Sequence, residues 1–191
     1  MKQKIILSIF AAFIYSNVSS QAFIRAGTVL FQFDQKTLLE QFVTVDEKTS
    51  YFIGGGMEVN LIKALGLEIG ANYYKIKVDE LQQSNTDFIN GSILALPAVL
   101  KLKPSQLVNV GIGLMPSLFI NQSSLEQFYY RKYDLSGVLK AEVFPIKMLG
   151  IEAAYNTGFL PQELIFSDQN GVTSLIKSKN KFYSLGLKLR F

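Results

Sequence analysis

The sequence contains no cysteine, no histidine and no tryptophan. Without cysteine the chain can form no disulfide and offers no thiolate to a metal ion. Without histidine it lacks the usual general base of Ser-His-Asp triads and the imidazole ligand of many metal sites. Most hydrolytic mechanisms are therefore excluded, and we expect a protein that is not an enzyme and has no catalytic, cofactor-binding or metal-binding residues.

Charged residues are also scarce. They make up 18% of the 191 residues, whereas hydrophobic residues make up 49%. This balance is richer in apolar groups than that of an ordinary soluble chain, and it indicates either a surface that faces a solvent other than water or a very large core. The length is most simply that of one domain plus a targeting segment.

The first twenty residues have the three parts of a secretory signal peptide. Lys2 and Lys4 form a basic start, 5–15 is an apolar run, and Val18 to Ser20 offer a small-residue cleavage site. We therefore predict a signal peptide over 1–20 and a mature domain over 21–191. The alternative is an amphipathic or core helix at the start of a soluble domain. Removal of the signal lowers the basic count from 19 to 17 against 15 acidic residues, so the charge does not indicate nucleic acid.

Long hydrophobic runs are absent beyond this segment, and the apolar residues alternate with other residues instead. A period of two is typical of β-strands, because successive side chains point to opposite faces. Pro97 within the fourth strand predicts a bulge or a local break in the hydrogen-bond ladder. The eight predicted strands are FIRAGTVLFQF, YFIGGGMEVNL, LEIGANY, LALPAVLKL, VNVGIGLMPSLFI, YDLSGVLKAEV, IEAAYNTGF and YSLGLKLRF.

The connections alternate in length as regularly as the residues do. Those around 63–65, 104–106 and 145–147 are short, and the intervening ones are long and polar. Short and long connections then lie at opposite ends, and both termini lie at the short end. The sequence therefore predicts an all-β fold, an eight-stranded antiparallel up-and-down β-barrel.

The two faces of the strands differ in charge. One face is continuously apolar, whereas the other carries the charges among Gly and Asn. A charge that faced lipid would cost about 2 to 4 kcal/mol at the bilayer midplane, so we expect the charges to face inward and to pair across a narrow lumen. The predicted lumen ion network is Arg25, Glu58, Glu68, Lys101, Lys140, Glu142, Glu152, Lys188 and Arg190.

Aromatic residues gather where strands meet the long connections. An amphipathic ring is favoured between lipid headgroups and acyl chains, so this placement predicts an interfacial girdle; β-propensity alone would scatter the rings along the strands. The predicted girdle is Phe31, Phe33, Tyr51, Tyr73, Tyr74, Phe88, Phe119, Tyr129, Tyr130, Tyr133, Phe159, Phe182 and Tyr183.

The final strand, FYSLGLKLRF, resembles the C-terminal assembly signal of Gram-negative outer-membrane barrels. The signal positions are Tyr183, Leu185, Leu187, Leu189 and Phe191. The segments GGGMEVNLIKALGLEIGANYYK, LALPAVLKLK, VNVGIGLMPSLFI and NKFYSLGLKLRF together resemble the PorT-like outer membrane protein beta-barrel family, over essentially the whole mature chain.

This resemblance implies an integral outer-membrane protein with periplasmic termini, short periplasmic turns and long extracellular loops. It implies contact with outer-membrane lipid, lipopolysaccharide and the barrel assembly machinery, and an accessory role in protein secretion through other surface or secretion proteins. The family shares a scaffold and no catalytic residues, so the fold does not define the function.

Two classes of function remain open. One is a structural or interaction protein that presents the long loops 34–50 and 160–181, and the other is a small-solute, porin-like channel or transporter. An eight-stranded barrel is just wide enough for its own side chains to fill, which favours the first class. The carboxylate pairs Glu58 with Glu68 and Glu142 with Glu152 could serve acid-base chemistry, but an ion network with the neighbouring lysines and arginines is the simpler interpretation.

Overall fold

The computed structural model describes residues 20–34, 44–47, 50–81, 89–120, 132–160, 162–167 and 173–191. The predicted signal peptide lies outside the described residues except for Ser20, where the first strand begins. Within the described ranges, no helix is long and apolar enough to cross a membrane.

The described part of the chain folds into antiparallel β-strands. They are β1 (Ser20–Asp34), β2 (Thr44–Glu47), β3 (Ser50–Ile62), β4 (Leu65–Leu81), β5 (Ile89–Ala95), β6 (Ala98–Leu102), β7 (Val108–Ile120), β8 (Tyr133–Ile146), β9 (Leu149–Gly158), β10 (Gln162–Ser167) and β11 (Thr173–Arg190).

The strands close into a barrel. Their order is β1-β3-β4-β5-β7-β8-β9-β11, with β6 continuing β5 between β4 and β7, and β1 pairs with β11 to complete the ring. Counting β5 and β6 as one strand of the wall gives an eight-stranded antiparallel barrel, so the predicted fold class is confirmed. In β1, Arg25 lies opposite Gly54 on one side and Lys188 on the other, which places its side chain in the lumen with the other charges.

The wall is interrupted at Leu96 and Pro97, as the proline predicts. Leu96 N–H donates to Pro116 O on β7 at 2.9 Å, and Gly70 N–H on β4 donates to Pro97 O at 3.0 Å. Neither proline has an N–H to donate in return. Each of these two residue pairs therefore has one backbone hydrogen bond in place of the two of a regular antiparallel pair. The strand is interrupted at this point, and β5 and β6 form separate strands.

The two ends of the barrel differ. Short turns lie at 63–64, 103–107 and 147–148, and the second is held by Ser105 Oγ, which accepts from Leu107 N–H at 3.2 Å and Val108 N–H at 3.0 Å. Both ends of the described chain lie here, since Phe191 N–H donates to Ala22 O at 2.9 Å. At the opposite end, β2 extends the sheet beside β4 and β10 extends it beside β11.

Alternate residues face outward and inward along each wall strand, as strand geometry requires. The outward set is apolar and exposed: Ile53, Ile112, Leu139 and Leu187 on four different strands are 57 to 66% exposed. The inward set includes the charged residues, which are almost entirely buried. The barrel is thus inverted relative to a water-soluble protein, with its polar groups inside.

Candidate functional site in the barrel lumen

Two pairs of glutamates lie side by side on neighbouring strands. Glu58 on β3 is opposite Glu68 on β4, and Glu142 on β8 is opposite Glu152 on β9. Carboxylate oxygens of Glu58, Glu68 and Glu142 come within 4.8 Å of one another. Such close carboxylates repel one another unless cations lie between them.

Glu68 is the centre of the arrangement, and its side chain has no exposed surface. Its carboxylate lies 2.8 Å from Arg25 Nη1, 2.8 Å from Lys140 Nζ and 3.0 Å from Lys101 Nζ. It also contacts Lys188 Nζ. The cations come from β1, β6, β8 and β11, so this one carboxylate connects strands around most of the barrel.

The remaining ion pairs join these groups into one cluster. Lys101 Nζ lies 2.7 Å from Glu58, and Lys188 Nζ lies 2.9 Å from Glu142. Lys140 Nζ lies 2.8 Å from Glu152, and Arg190 Nη2 lies 3.0 Å from Glu58. The structure thus brings all nine residues of the predicted lumen network together in the short-turn half of the barrel.

Two further residues, which sequence reasoning missed, belong to the cluster. Lys103 Nζ lies 2.6 Å from Glu58, and Asn109 Nδ2 donates to Glu142 at 3.1 Å. Both were detectable, because Lys103 has the strand parity of Lys101 and Asn109 alternates with the outward Val108.

The charges of the most deeply buried members of the cluster are matched, while Lys103 and Arg190, whose side chains are 15 and 13% exposed, add two positive charges. Four cations and four glutamates are at most 5% exposed: Arg25, Lys101, Lys140 and Lys188 with Glu58, Glu68, Glu142 and Glu152. Burying ions costs several kcal/mol each unless opposite charges and hydrogen bonds compensate it, and here every one of these residues has at least one ion pair. The three adjacent carboxylates have lysine ammonium groups as counter-ions, in the positions where a metal ion would otherwise be needed.

Two buried aromatic rings line the short-turn side of the cluster. Lys188 Nζ lies 3.9 Å from the centroid of the Phe23 ring, and Arg190 Cζ lies 3.4 Å from the centroid of the Phe144 ring. Cations at such distances are attracted to the face of the ring. The rings therefore add to the stability of the cluster and narrow the lumen at this end.

A mostly apolar layer fills the lumen on the long-loop side of the cluster. The Tyr74 ring stacks on Phe52 at 5.6 Å between centroids and meets Phe182 edge-on at 5.4 Å. Tyr74 OH also contacts Met115 Sδ at 3.8 Å. The buried members of this layer are Val29, Phe52, Tyr74, Ile76, Ile93, Ala95, Val99, Met115, Val138 and Phe182.

Part of the predicted aromatic girdle is wrong, because three of its residues belong to this layer or pack against it. Tyr74 and Phe182 are each 4% exposed and face the lumen, and Phe119 packs against the same layer. The reason is strand parity, since Tyr74 follows the outward Tyr73 and Phe182 precedes the outward Tyr183. The alternation of side chains along the strand therefore predicts which way these rings face better than their proximity to a long loop does.

Other predicted girdle residues do face outward near the long-loop end. Tyr51, Tyr73, Tyr133, Phe159 and Tyr183 are between 37 and 67% exposed. The side chains of Phe31, Phe33, Phe88, Tyr129 and Tyr130 lie outside the described residues.

The residues of the predicted assembly signal lie along β11 and just after it. Tyr183, Leu185 and Leu187 face outward and are 46 to 57% exposed, and Phe191 is 63% exposed. Leu189 is partly buried. This strand pairs with β1 at the closure of the barrel.

The chain matches no protein-family model and no curated protein. It does match solved structures in fold. The outer membrane protein OprG from Pseudomonas aeruginosa has a TM-score of 0.52 at 15% identity, with 91% of this chain and 96% of that chain covered.

Two further solved structures are similar. Ail, the attachment invasion locus protein of Yersinia pestis, has a TM-score of 0.51 at 12% identity, covering 91% of this chain and 99% of that one. The neisserial surface protein NspA has a TM-score of 0.50 at 11% identity, covering 92% of this chain and 100% of that one. At these identities the likeness is one of fold: the chain shares the barrel fold of small outer-membrane proteins.

Proposed function

We propose that this protein is an integral outer-membrane barrel with a closed lumen, which acts without catalysis by presenting its long-loop end to partners at the cell surface. The observation that carries the proposal is the inversion of the barrel, with charges buried inside and apolar side chains exposed outside.

The outer surface supports the membrane location. Exposed Leu, Ile, Val and Met side chains surround the barrel on every wall strand, far exceeding the isolated apolar residues that soluble proteins tolerate. A bilayer is the solvent that such a surface requires. The short turns and both termini then lie on the periplasmic side, as is usual for bacterial barrels.

Membrane fractionation tests the location. The protein should stay in carbonate-washed outer membranes and should migrate differently on gels before and after heating, because a closed barrel resists detergent unfolding. Recovery in the soluble periplasm would overturn the proposal.

The filled lumen supports a role other than conduction. The ion cluster, the rings of Phe23 and Phe144 and the layer around Tyr74 together occupy the interior with buried side chains. In planar bilayers the purified protein should therefore give no stable porin-like conductance steps, with a general porin as the positive control. Large, stable steps would instead favour a small-solute channel.

The long-loop end supports an interaction role. β1, β4 and β11 contain 15, 17 and 18 residues, and β2 and β10 extend the sheet at this end. Ail, which shares the fold, was solved in complex with the heparin analogue sucrose octasulfate. By analogy of fold alone, the extended end of this barrel is the surface that would meet lipopolysaccharide or other surface proteins.

Loop replacement tests this role. Residues 35–49, which include β2, and 160–178, which include β10 and the part of β11 paired with it, can be replaced separately by short Gly-Ser connections that leave the wall strands paired. Partners from native membranes are then compared with those of the intact chain. Partners lost with one replacement and retained with the other would support the proposal, and identical partners in all three would contradict it. A part in protein secretion rests on the PorT-like resemblance alone and predicts that secretion components appear among those partners.

A further inference from the structure

A small cavity lies inside the barrel between the ion cluster and the mostly apolar layer. Its volume is about 20 Å³, and its polar lining includes Arg25, Asn72, Tyr74, Lys140, Glu152 and Ser184. A site of this volume has room for one water molecule and for little else.

Arg25 lines this cavity and carries one donor atom that the protein leaves unpaired among the described residues. Its Nε donates to Asn72 Oδ1 at 2.8 Å and its Nη1 donates to Glu68 Oε1 at 2.8 Å, so the guanidinium plane is held from two sides. Its Nη2 is buried and has no hydrogen-bond partner among the residues that the structure describes. A buried guanidinium N–H without a partner is costly, so a ligand that accepts this bond is stabilised.

Glu152 supplies an acceptor on the same cavity. Its Oε2 forms ion pairs with Lys140 Nζ at 2.8 Å and Arg25 Nη1 at 3.5 Å, yet within the described part of the chain no donor is directed at it in hydrogen-bond geometry. Among the charged groups that line the cavity, Arg25 and Glu152 therefore each have one buried atom with unused hydrogen-bonding capacity.

We propose that this cavity is a binding site for one ordered water molecule that accepts from Arg25 Nη2 and donates to Glu152 Oε2. Only a ligand that both accepts and donates can satisfy the two groups. A halide would satisfy Arg25 but would face the Glu152 carboxylate, and a metal cation would face Arg25 and Lys140. The water completes the network at its border with the layer around Tyr74.

High-resolution crystallography of the refolded barrel in detergent tests the site. Density should appear within hydrogen-bonding distance, roughly 2.7 to 3.2 Å, of both Arg25 Nη2 and Glu152 Oε2. Crystals soaked in bromide should show no anomalous peak there. A cavity without density, or a bromide peak in it, would overturn the proposal.

Filling the cavity provides a second test. Ala154 lines the cavity, and the adjacent Ala153 faces outward. Ala154→Val should remove the density and lower the midpoint of urea unfolding, because displacement of the water leaves Arg25 Nη2 without an acceptor and Glu152 Oε2 without its hydrogen-bond donor. Ala153→Val, which adds the same methyl groups outside the barrel, should keep the density and leave the midpoint nearly unchanged. A higher midpoint for Ala154→Val would show an empty apolar void and would overturn the proposal.

Discussion

Replacing Glu68 with glutamine should destabilise the barrel more than any other single change in the ion cluster. Glutamine keeps the size and shape of the side chain and one carbonyl oxygen, so the main effect is loss of the negative charge. That charge lies at the centre of the cluster, within 2.8 to 3.0 Å of Arg25, Lys101 and Lys140, and in contact with Lys188.

The expected loss in the free energy of unfolding follows from the ion pairs that remain. In Glu68→Gln, Arg25 and Lys140 keep Glu152 at 3.5 and 2.8 Å, Lys101 keeps Glu58 at 2.7 Å, and Lys188 keeps Glu142 at 2.9 Å. No cation is left wholly unpaired, but the buried group as a whole gains one uncompensated positive charge. Leaving one buried charge uncompensated typically costs about 3 to 5 kcal/mol, which is the expected loss in the free energy of unfolding.

Urea unfolding of barrel refolded in detergent measures this loss. The chain has no tryptophan, so the transition is followed by circular dichroism and by the heat-dependent gel shift. Lys63→Gln, a charge change on an exposed turn, is the control and should alter the free energy of unfolding by less than about 0.5 kcal/mol.

A double variant distinguishes charge imbalance from general damage. Adding Lys140→Met to Glu68→Gln restores equal numbers of buried cations and carboxylates, so the double variant should lose less stability than the sum of the two single losses. A coupling of about 0.5 to 3 kcal/mol is expected for residues in one network. A Glu68→Gln barrel within 1 kcal/mol of wild type, or strictly additive losses, would refute the reasoning.

Three other changes test separate parts of the structure. We expect Phe191→Ala to lower the amount of barrel inserted in cells, because the final strand resembles an assembly signal and its last ring is exposed. The free energy of unfolding of the refolded barrel should change by at most about 1.5 to 3 kcal/mol, and equal insertion would make the ring an ordinary interfacial residue. Gly113→Ala should destabilise the barrel by about 1 to 3 kcal/mol, since its Cβ would lie 2.7 Å from Val99 Cα and closer still to Ala98 O on the neighbouring strand. In the same urea titration Gly91→Ala should be nearly neutral, because its Cβ would meet nothing within 4 Å. Arg190→Lys should lower the free energy of unfolding by about 0.5 to 2 kcal/mol, because the guanidinium no longer stacks on the Phe144 ring. A loss of equal size when Arg190→Lys is made in a Phe144→Leu background would show that the stacking contributes nothing.

Much of the barrel was predictable because its signal is local. A strand that separates lipid from a narrow lumen must alternate, so each segment carries its own pattern and the connection lengths reveal the two ends. Pro97 likewise predicts the break in the wall from its own sequence position, because a proline has no N–H to donate whatever strand lies beside it. The same alternation indicates which residues face inward, including Arg25, Glu58 and Lys188.

The arrangement of the inward aromatic residues along the lumen axis was not predictable in this way. Alternation gave the correct face for Tyr74 and Phe182, yet their position beside long loops led to a girdle assignment that burial contradicts. The role of Phe23 and Phe144 as partners of Lys188 and Arg190 was likewise missed.

The sequence by itself determined the eight wall strands, their two faces, the alternating ends and hence the barrel, because those properties repeat within each short segment. It did not reveal β2, β10 and the first part of β11, which lie in segments predicted as long loops. The sequence also predicts the inward charges toward the short-turn half, but only the tertiary structure decided that they gather around Glu68 and that a mostly apolar layer around Tyr74 fills the other half. The physical reason is that closure staggers the strands, so two inward side chains on distant strands share a level only through the accumulated register of all the strands between them. Glu68 and Lys188, which are in contact although 120 positions apart in the chain, are brought together by that closure and by nothing local.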